Sequence, residues 1–424
     1  MVATDTVIRI PEMPWFGDTE TTLTFPPSWD VRYCAMRGER APRLTPAQMR
    51  AAFDHPIGTP PLREMARGRK RVAILFDDMA RGTPTAEMVP YVLDELKAAG
   101  VPDSAIRFIA ALGTHGAMRR WDFVKKLGED VVERFPVYNH NPYENCVEVG
   151  VTRRGTKAVL NAEVMSCDLK IALGGIVPHP LAGFGGGAKV LCPGVGFVDT
   201  VFANHHDVGG RGKPAAGKPV GDLKKGVGRA IVEGNPVRED MEEIARLAKL
   251  DMIANCVMNL RREIVGMYVG DVVAAHRAGC AQGMEVYATP RPGPCDVVIA
   301  NAYHKANEAL ITLSVAPEAL RPEGGTYVLV YNTPEGQIPH YLSRSFGTEM
   351  GGRLWGAHKG LPPRTKKLIA LSRFGERAGA DWFGPLDAVV WRRTWADVLR
   401  DLEQDYPRGG RVAVLPDATV QYWG

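Results

Sequence analysis

The sequence predicts an α/β protein of two Rossmann-like α/β domains with an active-site cleft between them, the first over residues 1–285 and a smaller second over residues 286–424. Three observations lead there. Short apolar runs alternate with amphipathic stretches in β–α order. The proline-rich break PRPGP at residues 290–294 separates one such series from another. A chain of 424 residues, 45% of them apolar, is long enough to fill a core for each unit.

In chain order, residues 1–66 read as an irregular leader rich in proline and aromatics. Residues 71–76 form the first expected strand. Thr83 can cap a helix with Pro84 at its first position, running to about residue 99. Residues 105–112 are the next strand, followed by a Gly-Thr-His turn and a helix over 119–127. Residues 169–173 are again strand-like, and a glycine-rich loop follows. The stretch 235–250 starts acidic and ends basic, as a helix macrodipole favours. Residues 251–257 and 263–269 supply two further strands. Beyond the break, strands are expected at 295–300, 325–331, 366–371, 387–391 and 411–415, with a helix over 395–404. The last segment is expected to pack back on the first domain. The stretch 209–228, GGRGKPAAGKPVGDLKKGVG, reads as a flexible lid or insertion.

Composition removes several function classes. A net charge of +4 with scattered basic residues leaves no footprint for nucleic acid. Seven cysteines without C-x-x-C spacing argue against a disulfide framework or a zinc ribbon and suit a reducing compartment. No apolar run nears the length that spans a bilayer, and no signal-like segment opens the chain. A cytoplasmic enzyme without membrane or nucleic-acid partners is the expectation, and a homo-oligomer is compatible with it.

The chemistry concentrates in VPHPLAGFGGGAKVLCPG, residues 177–194. Its glycines let backbone amides approach an anion while His179 and Lys189 project into the same space. It is not a P-loop, because Lys189 stands between Ala188 and Val190. It is not a dinucleotide fingerprint, because Gly183, Gly185, Gly186 and Gly187 run into a Pro-Gly turn rather than a helix. His115 follows a predicted strand, the place where α/β folds hold ligands, and Asp78 and Arg81 follow the preceding strand. An arginine fork for a carboxylate or phosphate beside His115 is one reading, and a local Asp78–Arg81 ion pair is the other. Of the adjacent His205 and His206, at most one can face a site, since neighbours on a helix diverge by about 100°. There is no H-E-x-x-H and no G-x-S-x-G.

These residues together resemble the nickel-dependent lactate racemase family. The resemblance is carried by DDMARGTPT (77–85), GTHG (113–116), PHPLAGFGGGAKVLCPG (178–194), Asn204-His205, EGNPVREDMEEIARLA (233–248) and EIVGMYVGDVVAAHRAG (263–279). It implies a nickel-pincer nucleotide, a pyridinium mononucleotide joined to Lys189 as a thioamide and holding nickel through a carbon and two sulfurs. It further implies His205 as the protein ligand of nickel, a tetragonal soft donor set. Thr83, Thr85, Gly185, Gly186 and Gly187 become candidate phosphate contacts, and the cofactor-maturation enzymes become partners. The implied reaction is racemisation or epimerisation of a 2-hydroxy acid by hydride transfer through a transient 2-keto acid. His115 and His179 would be the two bases, Arg81 would hold the carboxylate and Asp78 would orient it.

One departure stands out. The family's second domain usually carries a D-x-N-x-x-Q-x-x-K pattern, whereas the stretch from Asn301 here places His304 and Asn307 there. His304, with Lys305 beside it, is the expected substrate contact. Two alternatives stay open: a non-catalytic protein that binds the cofactor or a nucleotide, and a lyase or dehydratase using the same histidines.

Overall fold

A computed structural model describes residues 4–210, 225–343, 352, 360–378 and 383–424. Two six-stranded sheets organise them. The first runs Ile264–Gly270, Met252–Met258, Leu169–Gly175, Val72–Asp77, Ile106–Ala111, Val137–Asn139, parallel throughout except for the antiparallel pair at its Ile264–Gly270 edge. Its two central strands, VAILFD and LKIALGG, are buried at every residue. Both faces are covered, which is why they read as continuous apolar runs rather than alternating ones. Separate apolar clusters fill the two faces, one around Ile74, Phe76 and Phe108, the other around Leu75, Leu191 and Ile244.

The second sheet runs Val389–Arg392, Thr365–Leu371, Gly325–Val330, Val297–Asn301, Arg411–Leu415, Asp30–Tyr33, all parallel. Its outermost strand comes from the stretch expected to be an irregular leader. That stretch also forms an antiparallel hairpin of Thr6–Glu12 and Thr19–Phe25 and a helix, Pro46–Asp54. The helix opens with a reciprocal Thr45–Gln48 cap. The threonine-rich hairpin buries only Ile10, Glu12, Leu23 and Phe25, so its alternation is faint in sequence. One strand from residues 1–66 therefore lies in the second sheet. At the other end, Tyr422–Trp423 pairs with Ala288–Thr289, and Val420 joins the core of the first sheet.

The helix expected from Thr83 begins at Thr85 and extends to Ala98, with no side-chain cap. The Thr83 hydroxyl donates to the buried Asp77 carboxylate at 2.6 Å, which draws Thr83 away from a capping role. The helix expected from residue 235 is Pro236–Leu247, where Asn235 Oδ1 accepts from the Val237 and Arg238 amides. Residues 211–224 of the glycine- and lysine-rich stretch lie outside the described residues. All seven cysteines are unpaired, and among the described residues no helix is long and apolar enough to cross a membrane.

Candidate active site

The C-terminal edges of both sheets lead into one cavity. Asp78 and Arg81 follow Val72–Asp77, His115 follows Ile106–Ala111, and His179 and Lys189 follow Leu169–Gly175. Glu308 and His340 reach the same cavity from beyond Val297–Asn301 and Gly325–Val330. Strand C-termini are where α/β sheets expose backbone and side chains to ligands.

His115 is fixed by Asp78. Its Nδ1 lies 2.5 Å from Asp78 Oδ2, and Asp78 Oδ1 accepts from the Ala80 amide at 3.0 Å. Burial alone would raise the Asp78 carboxyl. The charge and hydrogen bond of His115, with Arg81 and Lys126 behind, outweigh burial and hold it below the usual carboxylate range. With Nδ1–H donating to a carboxylate, the neutral imidazole keeps its lone pair on Nε2.

Arg81 does not pair with Asp78. Its Nη1 lies 2.6 Å from Glu308 Oε2 and also donates to Ala80 O at 2.8 Å. Burial works against both ions, yet Arg81, then His115, Lys305 and His340, hold the Glu308 carboxyl down to about 2. The expected role of Asp78 in orienting Arg81 is thus taken by Glu308, while Asp78 serves His115. His340 packs edge-on against His115 with ring centroids 4.7 Å apart, and the two residues form an antiparallel bridge. His115, Glu308 and His340 present ligand atoms within 4.8 Å of one another, a group able to hold a cation.

The glycine loop forms another wall. His179 Nδ1 accepts from the amides of Leu181 and Ala182 at 3.2 and 3.1 Å. Its neutral ring therefore carries hydrogen on Nε2. Burial, then Lys189 and Lys305, push its basicity well below the ordinary histidine value. The Lys189 amine makes no hydrogen bond among the described residues, while its backbone amide donates to Gly186 O at 3.2 Å. Burial, and next the Arg81 charge, push its ammonium down to about 7. Arg238, fully buried, holds the loop from below by donating to the carbonyls of Ala182, Phe184 and Gly186. Gly186 has φ +69°, and a Cβ there would lie 2.8 Å from Asn255 Oδ1. These glycines are demanded by close packing within the chain itself.

His205 sits in a π-helical turn, Ala203–Val208, and lines the cavity. Such turns recur at functional sites. Its Nδ1 meets Asn204 Oδ1 at 3.0 Å, and Asn204 Nδ2 is anchored to Asp240 at 2.8 Å and Val237 O at 3.2 Å. His205 and His179 are edge-to-face with centroids 6.3 Å apart, whereas His206 stacks on Phe202 outside the cavity lining.

Of the residues singled out in sequence, Asp78, Arg81, His115, His179, Gly185, Gly186, Lys189 and His205 line this one cavity. Thr83, Thr85, Gly187 and His304 do not. The Thr83 hydroxyl is committed to Asp77, that of Thr85 to Thr83 O, and the Gly187 amide to Asn255 Oδ1. His304 is buried with Nε2 against Leu260 O at 3.2 Å, its amide held by Asp417. The neighbouring Lys305 is the residue that interacts with the site, and burial, then the Arg81 charge, push its amine well below the ordinary lysine value. Among the described residues its buried amine has no hydrogen-bond partner, and Arg81, Glu308 and Lys189 act on it. Glu308 and His340 were missed. Glu308 is the single charged residue in ANEALITLS, an isolated charge in an apolar run and the one available signal.

Residues 16–217 match the model of the lactate racemase N-terminal domain. Over 291 residues the chain is 31% identical to the lactate racemase of Lactiplantibacillus plantarum, covering 67% of this chain and 65% of that protein. Over 295 residues it is 30% identical to the lactate racemase of Thermoanaerobacterium thermosaccharolyticum, covering 68% and 66%. The match thus spans just under two thirds of each relative. In structure, the chain is similar to the lactate racemase apoprotein of T. thermosaccharolyticum, with TM-score 0.73, 22% identity and coverage of 99% and 100%. It is also similar to a Thermotoga maritima protein, with TM-score 0.61, 16% identity and coverage of 90% and 98%. The mixed α/β fold with parallel sheets is shared with these structures, and by sequence residues 16–217 belong to the lactate racemase N-terminal domain family.

Proposed function

We propose that this chain is a racemase or epimerase of a 2-hydroxy acid that works with a nickel-pincer nucleotide joined to Lys189. The observation that carries the reading is the convergence of His115, His179, Lys189, His205 and Arg81 on one buried cavity. The lactate racemase names of the relatives support the reaction class.

The residues fit such a group. A lysine pushed down to about 7 has a large neutral fraction, the form that an amide or thioamide linkage requires. His205 is the candidate nickel ligand, and its Asn204–Asp240 support is the outer shell that a metal-binding imidazole needs. When bound, the group supplies a hydride acceptor, which makes a 2-keto acid the intermediate of inversion.

The remaining work falls to side chains. Arg81 Nε and Nη2, which make no hydrogen bond among the described residues, receive the substrate carboxylate. His115 takes the hydroxyl proton on Nε2, and Asp78 stabilises the imidazolium that forms. His179 is the counterpart for the other stereoisomer: its Nε2–H donates a hydrogen bond to the substrate oxygen, and to take that isomer's hydroxyl proton the ring must first move its hydrogen to Nδ1 and release the Leu181 and Ala182 amides. The two histidines thus enter the reaction as different neutral tautomers, with the ring hydrogen on Nδ1 of His115 and on Nε2 of His179.

The test is protein produced together with the cofactor-maturation enzymes. Intact mass and metal analysis should show an adduct on Lys189 with nickel, and chiral chromatography should show inversion of at least one 2-hydroxy acid. Matured protein that carries the adduct yet inverts none of a broad panel overturns the reading, and so does protein that never acquires it.

A further inference from the structure

The geometry points to Glu308 as a substrate-specificity residue that selects 2-hydroxy acids with a hydrogen-bond donor beyond C2 and rejects those with a second carboxylate. This rests on the proposed function and names its substrate class.

Arg81 is shared. Its Nη1 holds Glu308 Oε2 at 2.6 Å, and its Nε and Nη2 remain for a substrate carboxylate. One guanidinium can hold two carboxylates in this way, Glu308 on one side and the substrate on the other. The substituent on C3 of a bound 2-hydroxy acid then lies near Glu308. Glu308 lines the cavity, and its Oε1 makes no hydrogen bond among the described residues. Its backbone at φ −129°, ψ 46° interrupts the helical segment Ala306–Ser314 at this residue.

An ionised carboxylate with an open acceptor oxygen discriminates in two directions. It accepts a hydrogen bond from a hydroxyl, and a charged acceptor strengthens that bond. It repels a second substrate carboxylate inside a buried cavity, where screening is weak. The favoured class is therefore hydroxylated monocarboxylates.

Three acids separate these effects: lactate, glycerate, which adds a 3-hydroxyl, and malate, which adds a carboxylate. Binding to wild-type and Glu308→Gln protein is measured by calorimetry, and kcat/KM with matured enzyme. For wild type the expected order is glycerate, lactate, malate. Glycerate should bind roughly 3- to 10-fold tighter than lactate, and malate about 10-fold or more weaker. In Glu308→Gln the malate penalty should shrink by about tenfold while melting stays cooperative. Wild-type malate binding equal to or tighter than lactate overturns the inference while the proposed function survives. A substitution that weakens all three acids by one common factor also overturns it, since that is the mark of a purely structural clamp. Binding of none of the three overturns the inference, while the proposed function stands or falls on the broad panel.

Discussion

Asp78 Oδ2 and His115 Nδ1 stand 2.5 Å apart in a buried corner of the cavity, and this contact determines which nitrogen of His115 faces the open space. Asp78→Asn can present an amide N–H to Nδ1, which moves the ring hydrogen to Nε2 and removes the base. The expected loss in kcat is roughly 10²- to 10⁴-fold. Initial rates in both directions with matured protein check it, with circular dichroism confirming the fold.

Arg81 and Glu308 tie the two sheets together across the cavity at 2.6 Å. Arg81→Met leaves the Glu308 carboxylate buried beside no cation of equal reach, a change that costs about 3–5 kcal/mol in comparable settings. The sign with pH follows from the depressed Glu308 carboxyl, near 2 when folded. Its contribution is present above the unfolded carboxyl value and is lost as pH falls through about 2. In urea titrations the gap between wild type and Arg81→Met should therefore be largest near pH 7 and narrow towards pH 3.

Lys189 should be unusually reactive in protein made without the cofactor. Its ammonium is pushed down to about 7, against an ordinary lysine value of about 10.4. Brief treatment with a small acylating reagent at pH 7.5, followed by peptide mapping, should label Lys189 ahead of the surface lysines. The preference for Lys189 should fade, and surface labelling catch up, as the pH is raised towards 10.

Several buried histidines are neutral in the folded chain. Burial pushes His140 down to about 4 and His340 to about 3. Unfolding lets each bind a proton below its free value near 6.5, so the unfolded state takes up more protons and stability falls as pH drops below it. Each such histidine contributes a slope of about 1.4 kcal/mol per pH unit between its two values. Thermal melts between pH 8 and 5 should show a falling Tm, and His140→Gln, at a residue that does not line the cavity, should flatten the decline.

The first sheet was legible because its strands are continuous apolar runs ending in chemistry-bearing turns: VAILFD before Asp78, and LKIALGG before the His179 loop. Local order sufficed for those. Asp30–Tyr33 was illegible because it gains its place only by pairing with Arg411–Leu415, more than 370 residues away. The same reason hid Glu308 and His340, whose meaning comes from Arg81 and His115 across the cavity. Sequence spacing also misjudged partners. Asp78 and Arg81 are three residues apart, yet each turns to a distant group. His304 drew notice as a histidine, but the amine coupled to Arg81, Glu308 and Lys189 is that of its neighbour Lys305, because successive side chains point in different directions.

The central claim is inversion through a 2-keto acid with His115 receiving the hydroxyl proton. Its most direct test is one turnover experiment in ordinary water with matured protein and a 2-deuterated 2-hydroxy acid, read by chiral separation and mass spectrometry. The account predicts that the inverted product retains the deuterium in wild type and that inversion is lost in His115→Asn. Inverted product that has exchanged its deuterium for solvent hydrogen would contradict it and point to removal of a proton from carbon instead.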